Sequence, residues 1–258
     1  MARLKILAIA ILALLLLISV LIWIAIGSNT GKRAYFSPSL NESSVNALSD
    51  LPFCSIGKQY GVSPSVLAGV VLAEKQLNRD WTDFIQDGLF TVFYYLFNEA
   101  WWQEWSTQNF ELATKELGDW NKGVNWSKQV TRSGIIFSIG PSQITTRTAL
   151  TACQNSISKA SWCTAGTKRL IQALLRESES LEVSALILDV ERQTHLQKTG
   201  IDTGSDPAKW ATLYNFGGEI YRARFTLNPD RPPNGFGRWV GNNSDQIMML
   251  LNCKNTFE

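Results

Sequence analysis

Twelve residues between Ser63 and Glu74 constrain the fold more than any other part of this chain. They read Ser-Pro-Ser-Val-Leu-Ala-Gly-Val-Val-Leu-Ala-Glu, and nothing from Val66 to Ala73 is charged or polar. Ser63 is a good N-cap, and Pro64 suits the first helical position because no backbone N–H is needed there. A helix that is apolar all round is buried. The segment therefore predicts a buried helix with a carboxyl group, that of Glu74, at its end.

The environment of Glu74 predicts unusual acid–base behaviour. Burial disfavours the charged form of a carboxyl group, so we expect its pKa to rise. A carboxylic acid that stays protonated near neutral pH can act as a general acid. The neighbouring Lys75 would oppose this effect by favouring the ionised form, unless it points to solvent. A glutamate at a helix end is also commonly a solvated surface residue.

The amino-terminal 44 residues predict a membrane anchor and a tether. From Ile6 to Ile26 the chain is apolar except for Ser19, a run of 21 residues. That length can cross the hydrocarbon core of a bilayer as a helix, whereas the apolar part of a cleaved signal peptide is usually shorter. We assign 1–27 as an uncleaved signal anchor, with cleavage after the small residues around Gly27 as the alternative. The polar stretch 28–44 reads as a tether.

The region 45–258 is long enough for one domain with its own core. The chain carries a formal net charge of +2. No basic patch indicates nucleic-acid binding, and no glycine-rich phosphate loop indicates a nucleotide site. No cofactor or metal is expected. The single histidine, His195, lies among charged and polar residues and is predicted to be solvated.

Four cysteines lie outside the apolar run, which predicts two disulfides if the domain is exported. Their spacing does not fit a zinc ribbon or a redox pair. Three pairings are possible. We favour Cys153–Cys163, which would close a short polar loop, together with Cys54–Cys253, which would tie the two ends of the domain.

Hydrophobic periodicity predicts a mainly α domain. Beyond the buried helix, the predicted helices are 168–177, 181–198 with Ser180 as its cap, 207–214 with Asp206 as its cap, and a last one starting at Asn243 or Ser244. The segment 78–132 is different and holds six tryptophans. Its run from Leu89 to Phe97 is predicted to fill the core, while Trp101, Trp102 and Trp105 are as compatible with an exposed face as with a buried one.

Two further motifs follow the buried helix in a suggestive order. Ser138-Ile-Gly-Pro-Ser-Gln-Ile144 comes first, and Ala211-Thr-Leu-Tyr-Asn-Phe-Gly-Gly218 follows. Taken with the helix that ends in Glu74, this order resembles the lysozyme-like superfamily, in particular soluble lytic transglycosylases and goose-type lysozymes. The likeness runs from about Gly61 to Gly218 as three short motifs. Gly140 comes 66 positions after Glu74, a far longer spacing than is usual, so 78–132 would be an atypical insertion.

The resemblance implies roles for individual residues. Glu74 would be the general acid and later the base, and Gln143 would line the sugar cleft. Ser138 and Gly140 would keep the backbone near the substrate, Tyr214 would reach the catalytic glutamate, and Asn215 would contact an acetamido group. Each also has a structural reading: Gln143 at a helix start, Tyr214 in the core, and Asn215 at a helix end.

The resemblance also implies an activity and a location. The substrate would be the glycan strands of peptidoglycan, cleaved between N-acetylmuramic acid and N-acetylglucosamine. We favour a lytic transglycosylase, which needs one carboxyl group. The alternative is a hydrolytic muramidase, which usually uses a second carboxyl group, for which Asp80, Asp83 and Asp87 are candidates. A non-catalytic scaffold in an envelope protein complex is the remaining alternative. The expected location is the bacterial inner membrane, single-pass, with the domain in the periplasm.

Overall fold

A computed structural model describes residues 40, 45–46, 50–75, 81–104, 138–140, 142–156, 160–215, 228 and 230–253. By its internal contacts the chain divides into the units Met1–Tyr35 and Phe36–Glu258. The predicted anchor 1–27 lies outside the described residues, as do nearly all of the tether 28–44 and Trp105. Among the residues that are described, no helix has both the length and the apolar character to cross a membrane.

The described part of the second unit is mainly helical, which confirms the prediction of a mainly α domain. Its helices, numbered in chain order, are α1 (Phe53–Tyr60), α2 (Pro64–Ala73), α3 (Trp81–Leu96), α4 (Thr146–Asn155), α5 (Ser161–Thr164), α6 (Thr167–Leu175), α7 (Glu177–Thr199), α8 (Pro207–Asn215) and α9 (Gly235–Leu251). A short 3₁₀ helix, Thr203–Ser205, precedes α8. Two strands, β1 (Ser138–Ile139) and β2 (Ile144–Thr145), lie before α4.

Helix α2 is the centre of the core. All ten of its residues are buried, and Pro64 occupies its first turn as predicted. Helices α1, α7, α8 and α9 pack against it. Gly69 permits the approach of α9, because a Cβ atom there would lie 2.7 Å from Cγ1 of Val240. The uniform apolar sequence thus has a direct cause, since every side of this helix faces protein.

The predicted start of α8 was right, and those of α7 and α9 were wrong. Helix α8 begins at Pro207, and the carboxylate of Asp206 accepts a hydrogen bond from the N–H of Lys209 at 3.0 Å. Helix α7 begins at Glu177, so the prediction that Ser180 caps it was wrong. The start of α9 at Asn243 or Ser244 was also wrong, because Asn234 is the N-cap and both predicted residues lie inside the helix.

The early start of α9 depends on glycines that a propensity argument disfavours. A Cβ atom on Gly237 would lie 2.0 Å from Oγ1 of Thr212 and 2.2 Å from the carbonyl oxygen of Ala208. Glycine therefore lets α9 press directly onto α8, and this packing outweighs the poor helix propensity of glycine.

The prediction that the aromatic run from Leu89 to Phe97 fills the core was wrong. Of its described side chains Phe90 is buried, whereas Val92, Phe93, Tyr95 and Leu96 are exposed, with Tyr95 at 77% and Leu96 at 69%. One side of a helix faces inward at a time, and here the inward side carries Phe90. Trp102 is fully buried and stacks on Phe90 at a centroid distance of 6.2 Å.

Both predicted disulfides are present. Cys54 and Cys253 join α1 to the second residue after the end of α9, with a Cα–Cα distance of 5.7 Å. Cys153 and Cys163 join α4 to α5 with a Cα–Cα distance of 5.4 Å. The described chain contains no free cysteine. The first bond links residues 199 positions apart and so ties the two ends of the domain together.

The prediction that His195 is solvated was wrong. Its side chain lies on the inward side of α7 and is only 1% exposed. Its polar neighbours in sequence misled the prediction, because residues adjacent in a helix point in different directions. Burial, together with the nearby positive charge of Lys209, lowers the pKa of the imidazole.

Candidate active site

Glu74 lies directly after α2 and keeps a helical backbone, its N–H donating to the carbonyls of Val70 and Val71. Its side chain is only 6% exposed. The apolar wall of α2 thus ends in a buried carboxyl group, as its sequence suggested. The cation of Lys75 is directed elsewhere, because its Nζ bonds Oε1 of Glu177 at 3.0 Å.

The middle motif forms a tight turn between β1 and β2. The two strands are antiparallel, with Ser138 paired to Thr145 and Ile139 to Ile144. Gly140 has φ +74° and Gln143 has φ +48°, so the chain reverses through two left-handed residues. The Gly140 carbonyl accepts hydrogen bonds from both the backbone N–H and the side-chain Nε2 of Gln143, at 3.1 and 3.0 Å. Gln143 is thereby tied into the turn, and it lies before the start of α4.

Gly140 is held by two contacts. A Cβ atom at this position would lie 1.8 Å from the carbonyl oxygen of Leu174, so α6 leaves no room for any side chain. In addition, its N–H donates to Oδ1 of Asp87 at 2.8 Å. Glycine is required here both by the positive φ and by the close approach.

Tyr214 connects the third motif to the other two. It lies near the end of α8, is 7% exposed, and donates its hydroxyl proton to the carbonyl of Ser142 at 3.1 Å. Burial, reinforced by the negative charge of Glu74, raises the pKa of Tyr214 well above its ordinary value, against a lowering effect of the hydrogen bond with Ser184. The phenol is therefore neutral at any physiological pH. The second and third motifs thus meet at this hydroxyl, and α8 also packs against α2, the helix that leads to Glu74.

Three buried serines surround the same point, and sequence reasoning missed them as a group. The Ser180 hydroxyl donates to Oγ of Ser142 at 3.2 Å, and the Ser184 hydroxyl donates to the Ser180 carbonyl at 2.9 Å. All three side chains are fully buried. Ser180 and Ser184 are four positions apart on α7 among apolar residues, and this spacing was the available signal.

Asn215 follows Tyr214 at the end of α8 and is half-buried. Its Oδ1 accepts a hydrogen bond from Nδ2 of Asn234 at 2.9 Å. Asn234 also caps α9, since its Oδ1 accepts from the N–H of Gly237 at 2.8 Å. Asn215 is therefore fixed by the start of α9, a partner that lies 19 positions away and that the sequence did not indicate.

The remaining predicted site residues are the three candidate second carboxylates and Ser138. Of the three candidate second carboxylates, Asp87 is the one whose contacts are described, and it accepts from Gly140. Asp80 and the side chains of Asp83 and Ser138 lie outside what the structure describes; the backbone of Ser138 belongs to β1.

Within the described ranges, no group of three or more histidine, cysteine, aspartate or glutamate side chains is arranged to hold a metal ion. No protein-family model, no curated protein and no solved structure matches this chain. The geometry of the site itself must therefore support any proposal about function.

Proposed function

We propose that the domain is a peptidoglycan-cleaving enzyme in which Glu74 is the single catalytic carboxyl group, and that it acts as a lytic transglycosylase. The bond cleaved is the β-1,4 bond between N-acetylmuramic acid and N-acetylglucosamine. The protein is proposed to use no cofactor, and its substrate is the glycan strand of the bacterial cell wall.

One observation carries the proposal. Tyr214 donates to the carbonyl of Ser142, and its helix α8 packs against α2, the helix that leads to the buried Glu74. Glu74 and Tyr214 are 140 positions apart, and Ser142 lies between them in sequence. The bond between the second and third motifs, together with the packing of α8 on α2, supports a shared site for the three motifs whose order resembles one enzyme superfamily.

The chemistry follows from a buried carboxyl group. Glu74 in its acid form donates its proton to the glycosidic oxygen as the bond to C1 of the muramic residue breaks. The positive charge that develops at C1 is then quenched by the 6-hydroxyl oxygen of the same sugar. The carboxylate of Glu74 takes the proton of that hydroxyl, which restores the acid and leaves a 1,6-anhydro product. No water is consumed, and no second carboxylate is needed.

The neutral phenol of Tyr214 suits this role for Glu74. A second negative charge beside the carboxyl group would disfavour the carboxylate that must form during the reaction. The raised pKa of Tyr214 keeps its proton in place, so the hydroxyl remains a donor throughout the working pH range. Tyr214 thereby links the position of Glu74 to that of the turn that carries Gln143.

Analysis of the products distinguishes the proposal from hydrolysis. Purified peptidoglycan is digested with the full chain, and the fragments are examined by mass spectrometry. Anhydromuramic ends, one water lighter than reducing ends, are the expected result. Reducing ends instead would make the protein a hydrolytic muramidase with the same general acid. For that alternative, a second carboxylate such as Asp80 or Asp83 would position the water.

A non-catalytic role is tested with the same material. A peptidoglycan-binding scaffold of an envelope complex would sediment with insoluble peptidoglycan but would release no soluble fragments from it. A clear zone in a peptidoglycan-containing gel supports the enzyme. Binding without any cleared zone, from protein whose disulfides are intact, supports the scaffold.

The proposed location is the bacterial inner membrane, with 1–27 as an uncleaved anchor and the domain in the periplasm. This rests on the length of the apolar run Ile6–Ile26 and on the two disulfides, which persist in oxidising compartments. Fractionation should recover the intact chain with the membrane. A soluble mature protein with a new amino terminus near Ser28 would contradict it.

A further inference from the structure

We propose that Asp87 is a positioning residue of this site: its carboxylate holds the Gly140–Gln143 turn in place and takes no part in the chemistry. The proposal rests on the proposed function only in that the turn contacts the substrate. It assigns a purpose to the first helix of the tryptophan-rich segment and removes Asp87 from the candidates for a second catalytic carboxylate.

The hydrogen bond that carries this inference crosses a long stretch of sequence. Oδ1 of Asp87 accepts from the N–H of Gly140 at 2.8 Å, although the residues are 53 positions apart. Gly140 follows β1 and so leaves the ladder between the two strands. The carboxylate of α3 thus fixes the first residue of the turn. Hydrogen bonds to a charged acceptor are about twice as strong as neutral ones.

Gly140 also packs closely against the end of α6. The carbonyl of Leu174, at the end of α6, lies where a Cβ atom would be. The turn is therefore in close contact with α6 and is also bonded to the carboxylate of Asp87. Loss of the Asp87 contact removes one of these two restraints.

Movement of Gly140 reaches the predicted substrate contacts through two further bonds. Its carbonyl accepts from the backbone and side chain of Gln143. The next link is the Ser142 carbonyl, which accepts from Tyr214. Asp87 therefore acts on Gln143 first and on the surroundings of Glu74 only second, which predicts a larger effect on substrate binding than on the chemical step.

Two substitutions separate positioning from chemistry. Asp87→Ala removes the acceptor, whereas Asp87→Asn keeps an oxygen acceptor but cannot act as a base. Using soluble glycan fragments as substrate, we expect Asp87→Ala to lower kcat/KM by about tenfold, mostly through KM. Asp87→Asn should recover most of that loss. The control is Asp245→Ala, which removes an exposed carboxylate on α9 and should match the wild type.

Other kinetic outcomes overturn the proposal. An equal loss of kcat in Asp87→Asn and Asp87→Ala, by about 10²-fold or more, would make Asp87 a catalytic carboxylate. Unchanged kcat and KM in folded Asp87→Ala would make the contact irrelevant to the site.

Hydrogen exchange at the Gly140 amide tests the same inference without any activity. The amide should exchange at least about tenfold faster in Asp87→Ala than in the wild type, with Asp87→Asn in between. Unchanged exchange in Asp87→Ala would overturn the proposal. If the wild type cleaves no peptidoglycan, the proposed function fails, while this measurement still decides whether Asp87 holds the turn.

Discussion

The hydroxyl of Tyr214 and the carbonyl of Ser142 are joined by a hydrogen bond of 3.1 Å in a part of the domain where both residues are buried. This bond fastens the end of α8 to the turn between β1 and β2. Helix α8 also packs against α2, the helix that leads to Glu74.

Tyr214→Phe tests the contribution of this bond. The variant keeps the ring but leaves the buried Ser142 carbonyl without the phenol donor, so the free energy of unfolding should fall by about 1–3 kcal/mol. Urea denaturation gives the value. Tyr95→Phe is the control, since Tyr95 is 77% exposed and its hydroxyl should contribute little. Equal stability of Tyr214→Phe and the wild type would show that the bond is not formed in solution.

Gly140→Ala and Gly200→Ala form a matched pair. Both glycines have nearly the same positive φ, +74° and +73°, but a Cβ atom on Gly200 meets nothing within 4 Å. Gly200→Ala should therefore cost only the backbone strain, about 1–2 kcal/mol. Gly140→Ala adds the collision with Leu174 and should cost about 2–5 kcal/mol. Similar losses in the two variants would contradict the close approach of α6 to the turn.

The two disulfides should differ in their contribution to stability. Loop-closure entropy suggests about 5 kcal/mol for Cys54–Cys253 and about 3 kcal/mol for Cys153–Cys163, because the first encloses a far longer loop. Replacing both cysteines of a pair by serine, one pair at a time, gives the difference by thermal or urea unfolding. Non-reducing peptide mapping checks the pairing first. A larger loss from the shorter loop would contradict the entropic explanation.

His195 predicts a loss of stability in mild acid. Its pKa in the folded protein is lowered from the ordinary value of 6.5, so the proton binds more tightly to the unfolded chain. The contribution of the neutral imidazole to the free energy of unfolding is complete above the ordinary pKa of 6.5. It falls as the pH drops below that pKa, by up to about 1.4 kcal/mol per pH unit. Urea midpoints between pH 7.5 and 5 measure the slope, and His195→Gln should flatten it. A wild type that gains stability as the pH falls from 7.5 to 5 would contradict the burial of the imidazole.

The sequence predicted the parts of this site that depend on local pattern. The apolar segment before Glu74 predicted a buried helix because no face of it could be left in water. Pro207 after Asp206 marked the start of α8, and the even number of cysteines indicated two bonds. In each case the physical cause lies within a few residues or in a simple count.

Other features depend on contacts between distant residues and could not be predicted in that way. The bonds from Asp87 to Gly140 and from Asn234 to Asn215 join residues that only the fold brings together. Likewise, no residue near Gly237 in the sequence indicates that α8 packs against it. The prediction that the aromatic run of α3 fills the core was wrong because an abundance of apolar residues does not indicate which side of a helix faces inward.

The most direct test of the account is the rate at which Glu74→Gln cleaves purified peptidoglycan. Because the amide keeps the size of the side chain, the variant should fold and retain both disulfides. It cannot donate the proton, however. Asp245→Asn, an exposed carboxyl-to-amide change, serves as the control. We predict that cleavage by Glu74→Gln falls by at least about 10²–10⁴-fold while the control matches the wild type. Undiminished cleavage by folded Glu74→Gln would contradict the assignment of the active site.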